Sequence, residues 1–253
     1  MDIHLCCIMG YVWPTLLMVV AVGIVSLLQR PKKDIKGKHV MITGGSQGIG
    51  LSIAQEVVGR GASVTLIARN VTKLQAAQEE VEAAATRSDQ QGKVQYFSVD
   101  LSGSTDKLGP LIKDAEAALG PIYMLVNCAG FSRAAKFEDL TPDLVKQMME
   151  VNFYGSFFIT QHVVRSMKKN MEGIIVFTSS QAGLLGLYGF SAYSATKAAI
   201  VKMAEALHME INPYKIMMTT TIPYDLYVPS QENPRIKELE NQLCQIKDGF
   251  LKT

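Results

Sequence analysis

The chain has 253 residues, enough for one α/β domain with a sizeable core, and a net charge of +2. That balance carries no global nucleic-acid signature. The four cysteines, Cys6, Cys7, Cys128 and Cys244, form neither a disulfide framework nor a metal-ligand spacing, so no metal is expected.

The first predicted element is apolar. Residues 10–28 (GYVWPTLLMVVAVGIVSLL) contain no charged side chain. As a helix rising about 1.5 Å per residue, the segment is about 28 Å long, close to a bilayer core. Pro14 falls in the first turn, where a helix tolerates it, and Tyr11 and Trp13 suit the interface. Arg30, Lys32, Lys33, Lys36 and Lys38 follow, which places the C-terminal part in the cytoplasm by the positive-inside rule. A cleaved signal peptide would open on basic residues, whereas this chain opens Met-Asp-Ile-His. A buried core helix would more often carry a polar face. The reading is a single membrane anchor with a basic linker over 1–36, then one domain over 37–253. Cys6 and Cys7 fit membrane packing better than acylation, while Cys128 and Cys244 suit a reducing compartment.

From residue 39 onward, strands and helices alternate. Strands are predicted near 39–43, 63–68, 94–99, 122–126, 173–178 and 215–221. Helices fill the gaps, the longest near 141–169 and 192–212. Such alternation implies a parallel sheet with helices on both faces and right-handed crossovers.

The first strand, HVMIT, runs into TGGSQGIG, and LSIAQEVVGRG then reads as an amphipathic helix. Strand, glycine turn and helix together are the context in which Gly44, Gly48 and Gly50 signal nucleotide binding. Glycines let backbone approach a pyrophosphate, and the helix N-terminus offers free N–H groups. The second strand ends at Arg69, nineteen residues past Gly50, with Asn70 and Lys73 beside it and no acid. An acid there would suit the 2′-hydroxyl of NAD, whereas arginine suits the 2′-phosphate of NADP, so NADPH is the expected cofactor. Ser46 offers a hydroxyl to the same phosphate. The third strand leads to Asp100 and Leu101, where a carboxylate can accept from an adenine amino group. The fourth leads to Asn127-Cys128-Ala129-Gly130, small residues that leave room for a cofactor. The fold class is therefore α/β: a Rossmann-type, doubly wound parallel sheet with its ligand crevice at the carboxyl ends of the strands.

In AYSATK, Tyr193 and Lys197 are four residues apart and share one face of a helix. An ammonium so placed is expected to lower the phenol pKa and make it a usable proton donor. Alone, the spacing fits a solvated helix face equally well; the upstream motifs narrow it. His4, His39, His162 and His208 suit surface or packing roles.

TGGSQGIG (43–50), NCAG (127–130), Asn152 in VNFYG, the pair Ser179-Ser180 and YSATK (193–197) together resemble the short-chain dehydrogenase/reductase family over about residues 37–225. The resemblance implies that Tyr193 protonates a carbonyl oxygen as hydride arrives. It implies that Ser180 hydrogen-bonds the same oxygen, that Lys197 binds the nicotinamide ribose, and that Asn152 holds a helix kink and a relay water. Ser179 competes for the serine role; the spacing of thirteen residues to Tyr193 favours Ser180. Cofactor contacts are implied at Gly44, Ser46, Gln47, Gly48, Ile49, Arg69, Lys73, Asp100, Leu101, Asn127, Tyr193 and Lys197. The block SSQAGLLGLYGFSAYSATK and its continuation resemble a subgroup that reduces a sphingoid lipid ketone at the endoplasmic reticulum membrane. Members also pair through long helices, here 141–169 and 192–212.

The C-terminal stretch departs from the family pattern. IPYDLYVP places Tyr224, Leu226 and Tyr227 where small or polar residues are usual, and PRIKELENQLCQIK reads as one polar helix. The expectation is a shortened domain without the usual seventh strand, which leaves an exposed sheet edge. Two other readings stand beside a sphingoid ketone reductase: a membrane-tethered reductase of a steroid, retinoid or fatty-acyl ketone, and a weakly active partner of a longer reductase.

Overall fold

Fully buried β-branched and aliphatic side chains make β1 (His39–Thr43) the centre of the sheet, since every one of its five residues is out of water. The computed structural model describes Met18 and residues 34–103 and 105–223. The chain divides into two compact units, Met1–Asp34 and Ile35–Thr253, and the second holds the elements that follow. The expected anchor, apart from Met18, and the stretch from Tyr224 onward lie outside the described residues. Among the described residues no helix is long and apolar enough to cross a membrane.

After β1 come α1 (Gly48–Gly59), β2 (Ser63–Ala68), α2 (Val71–Arg87), β3 (Val94–Ser98), α3 (Leu108–Leu119) and β4 (Ile122–Asn127). Then follow α4 (Pro142–Met149), a π-helical turn (Glu150–Tyr154), α5 (Gly155–Asn170), β5 (Gly173–Thr178), α6 (Ser191–Ile211) and β6 (Ile216–Thr221). The six strands lie in the order β3-β2-β1-β4-β5-β6, and every neighbouring pair is parallel. The order reverses between β1 and β4, so the loops leaving those strands diverge and open a crevice at their carboxyl ends.

Period-two alternation sends side chains of one strand to two cores. Met41, Leu125, Ile175 and Phe177 pack with Ile159 and Val163 of α5 and Ile200 of α6. Val40, Ile42 and Leu66 pack with Val57 and Val58 of α1 and Leu74 and Val81 of α2. Burying each such side chain contributes about 1.5–3 kcal/mol. Helix starts are fixed locally. Asn70 accepts from the Lys73 N–H at 2.9 Å, and Thr141 accepts from the Leu144 N–H at 3.3 Å with Pro142 in the first turn.

His39 is a packing residue, as its position suggested. Its Nδ1 donates to the Gly120 carbonyl at 2.7 Å and its Nε2 accepts from Thr65 Oγ1 at 2.7 Å. Burial holds its pKa below the ordinary histidine value. The long helix predicted over 141–169 is one helical run made of α4, the π-turn and α5, and Asn152, the residue expected at a kink, sits at the middle of that turn.

Candidate active site

The glycine turn is shaped by close approach. Gly44 has φ +67°, and a Cβ there would sit 2.9 Å from Ala129 Cα. At Gly50 a Cβ would run into the Gly44 carbonyl. Gly48, at φ +57°, has no atom within 4 Å of its would-be Cβ, so this backbone faces open space. α1 begins there, and Gln47, which caps it, gives no side-chain hydrogen bond to the first amides. Those N–H groups are left to meet an anion. Ser46 and Ile49 are half-buried on either side. Thr43 ties this turn to the next one: its Oγ1 accepts from the Cys128 and Ala129 N–H groups at 3.0 and 3.1 Å.

Two cations flank the turn. Lys73 Nζ donates to Gln47 Oε1 at 2.8 Å, which holds the start of α2 against the start of α1. Arg69 Nη1 lies 3.8 Å from Asp100 Oδ2, with both side chains at least half exposed. Burial pushes the Asp100 carboxyl up, but the Ser102 N–H and hydroxyl and the Arg69 charge together hold it below its usual pKa. Leu101 packs against α5, where its Cβ stands 2.9 Å from the position a Gly155 Cβ would take. Asn127 is the last residue of β4. It is buried, and its Nδ2 donates to Thr160 Oγ1 of α5 at 3.0 Å.

Tyr193 and Lys197 occupy the first two turns of α6. Lys197 is only 6% exposed, and its Nζ donates to the Thr178 carbonyl at 2.8 Å. Burial lowers its pKa to about 8, against a smaller upward pull from the Cys128 thiol. Burial raises the pKa of the Tyr193 phenol, and a hydrogen bond with Ser180 only partly offsets this. The expected lowering of the phenol by its neighbouring ammonium is therefore not the dominant effect in this arrangement. Loss of water penalises phenolate and ammonium alike, and the ammonium is held by a carbonyl.

Packing separates the two serines. Ser179 is buried, its Oγ donates to the Lys197 carbonyl at 3.2 Å, and its N–H meets Thr221 O at 2.9 Å. Ser180 accepts from the Ala182 N–H at 3.2 Å and shares its hydroxyl with the phenol. Asn152 accounts for the π-turn: Oδ1 accepts from Phe131 N–H and Nδ2 donates to Phe131 O, both at 2.9 Å. Its Nδ2 also donates to Thr196 Oγ1 at 3.1 Å. The structure thus brings Ser180, Tyr193, Lys197 and Asn152 together at the ends of β4 and β5. Sequence reasoning passed over Thr43, Thr178 and Thr196. Thr196 lies inside YSATK, and that placement was the available signal. A cleft of about 240 Å³ opens at the other end of the sheet, between the starts of β1 and β4, and holds none of these residues.

The family profile for short chain dehydrogenases matches residues 38–238. The chain belongs to the short-chain dehydrogenase/reductase family. It is 43% identical over 233 residues to the 3-dehydrosphinganine reductase of Danio rerio, covering 91% of this chain and 70% of that one. It is equally similar, 43% over 227 residues, to the 3-ketodihydrosphingosine reductase of Mus musculus, covering 89% and 68%. Among solved structures it resembles a metagenomic short-chain oxidoreductase in complex with NADP: TM-score 0.69, 26% identity, 77% of this chain and 85% of that one. It also resembles an NAD⁺-bound xylitol dehydrogenase: TM-score 0.71, 26% identity, 76% and 71% covered. As a short-chain dehydrogenase/reductase the chain is an oxidoreductase of the NAD(P)(H)-using class. The open backbone at Gly48, the uncapped α1 N-terminus and the cations beside it fit a dinucleotide.

Proposed function

We propose that the chain reduces the ketone of 3-ketodihydrosphingosine to the alcohol of dihydrosphingosine, with NADPH as reductant. The observation that carries this reading is the 43% identity to two reductases named for that ketone, over about nine tenths of the chain. The surface supports it. Leu184, Leu185, Leu187 and Tyr188 stand exposed in the loop between Ser180 and Tyr193. Exposed apolar side chains beside a reactive phenol suit a substrate whose ketone sits on a long alkyl chain.

When bound, the reduced nicotinamide supplies hydride to the carbonyl carbon. Tyr193 gives its phenolic proton to the oxygen, and the Ser180 hydroxyl donates a hydrogen bond to that oxygen as charge develops there. Lys197 binds the ribose and returns the phenol to its protonated form through the relay that Asn152 anchors. Gly44, Ser46, Gln47, Gly48 and Ile49 cradle the pyrophosphate side, and Arg69 and Lys73 take the 2′-phosphate. Residues 1–36 tether the chain to the endoplasmic reticulum membrane, with residues 37–253 on the cytoplasmic side. α5, which exposes Tyr154 at its N-cap and Phe157, forms with α6 a surface for pairing with a second copy.

The test is NADPH consumption by the full chain with 3-ketodihydrosphingosine, with Tyr193→Phe beside it. A steroid ketone belongs in the same assay, because the chain is 34% identical over 82% of its length to an Arabidopsis thaliana protein called 11-beta-hydroxysteroid dehydrogenase-like 2. Turnover of the sphingoid ketone that Tyr193→Phe abolishes supports the reading. Preference for the steroid overturns it.

A further inference from the structure

Thr196 is fully buried between Tyr193 and Lys197, and its hydroxyl makes two bonds of opposite sense. It donates to the Tyr193 carbonyl at 2.7 Å and accepts from Asn152 Nδ2 at 3.1 Å. The first bond is ordinary, since helical threonines often bond back to the preceding turn. The second is not, because it comes from the π-turn, on another helix. Its direction is fixed. Asn152 Oδ1 accepts the Phe131 N–H and Nδ2 donates to the Phe131 carbonyl, so the amide has one orientation. The remaining Nδ2 hydrogen points at Thr196, whose oxygen must accept it. That leaves the hydroxyl hydrogen for the Tyr193 carbonyl.

We infer that Thr196 is a positioning residue for the reaction. Its hydroxyl locks the α6 turn that carries Tyr193 to the π-turn that carries Asn152, and through Asn152 to the backbone at Phe131. This rests on the reading of Tyr193 as the proton donor. The phenol must meet both Ser180 and a ketone oxygen, and about 1 Å of misplacement costs ~100-fold in rate. Without the hydroxyl, a buried amide hydrogen and a buried carbonyl lose a partner together. Serine keeps both bonds; valine keeps the shape and loses both.

The experiment compares Thr196→Val, Thr196→Ala and Thr196→Ser in the full chain, with Tyr193→Phe as reference. In Thr196→Val, kcat falls ~10–100-fold while KM for the ketone changes less than about threefold. NADPH affinity, read by fluorescence titration without ketone, stays within about twofold in the same variant, and Thr196→Ser recovers kcat to within about twofold of wild type. If Thr196→Val does not fold, Thr196→Ala against Thr196→Ser decides by the same criteria. Equal loss in Thr196→Ser and Thr196→Ala overturns the inference, because the methyl group would then matter and not the bond. Wild-type kcat in Thr196→Val, with Tyr193→Phe inactive, overturns it and leaves the proton-donor reading standing. Full turnover in Tyr193→Phe overturns both.

Discussion

Lys197 donates its ammonium proton to the Thr178 carbonyl at 2.8 Å, at the end of β5 and one residue before the serine pair. The same ammonium lies 5.7 Å from the centre of the Tyr193 ring. One strand end therefore sets the height of the lysine, and one helix sets its angle to the phenol. Lys197 is buried and Tyr193 half-buried, and this loss of water lowers the lysine pKa and raises the phenol pKa.

Removing the phenolic oxygen removes the proton donor and leaves the ring. Tyr193→Phe is expected to lower kcat by ~10²–10⁴, the usual contribution of a positioned general acid. Cofactor affinity should change little by comparison. Steady-state turnover together with NADPH titration separates the two effects.

The lysine gives a pH prediction with a definite sign. Its pKa is about 8 in the folded chain against a usual 10.5. Between those values the unfolded chain binds more protons, so this group's contribution makes stability rise as pH increases from about 8 to about 10.5. The full span corresponds to about 3 kcal/mol. Lys197→Met cannot titrate and should lack this rise. Thermal unfolding midpoints of both proteins across pH 7–10 check it; parallel curves would refute the assignment.

Arg69 follows the end of β2, whose Ile67 carbonyl accepts from the Gly44 N–H, and Lys73 is held at the glycine turn by its bond to Gln47. A charge-assisted contact to phosphate is worth about 1.5–3 kcal/mol. Arg69→Asp is therefore expected to weaken NADPH binding ~10–100-fold and to leave NADH binding unchanged or improved. Titration of both cofactors against wild type reads this directly. An unchanged NADPH affinity would mean that the phosphate sits elsewhere.

Much of this arrangement was legible in the sequence, for identifiable reasons. Strands 39–43, 63–68 and 173–178 fall at their predicted bounds because β-branched runs there are closed by glycine, or by the start of the next loop. Ser180, Tyr193, Lys197 and Asn152 were legible as motif positions, and the structure places them together. The kink at Asn152 was implied by the resemblance, but its π form was not, because that depends on Asn152 reaching the Phe131 backbone 21 residues away. The partner of Asn127 was hidden for a similar reason. β4 runs one residue past its predicted end, and its last residue, Asn127, donates through Nδ2 to Thr160 Oγ1 of α5. The phenol pKa depends on burial by several elements at once, which no spacing encodes.

The apolar loop beside Tyr193 gives the sharpest test of substrate class. Leu184 is 59% exposed and Leu185 70%. Gly189, just beyond Tyr188, accepts from the Ala135 N–H at 2.9 Å. That bond joins this loop to the loop carrying Phe137, which is itself 80% exposed. Both loops thus carry exposed apolar side chains, and the one with the leucines leads directly into the helix of Tyr193. If that loop receives an alkyl chain, each leucine buries side chain only when that chain is long, a gain of about 1.5–3 kcal/mol at full burial. Leu185→Ser should then cut kcat/KM for a long-chain ketone by ~10-fold or more. A short, water-soluble ketone should be turned over as well as by wild type. Equal losses on both ketones would place the leucine in loop packing and remove the loop from the argument for a lipid substrate.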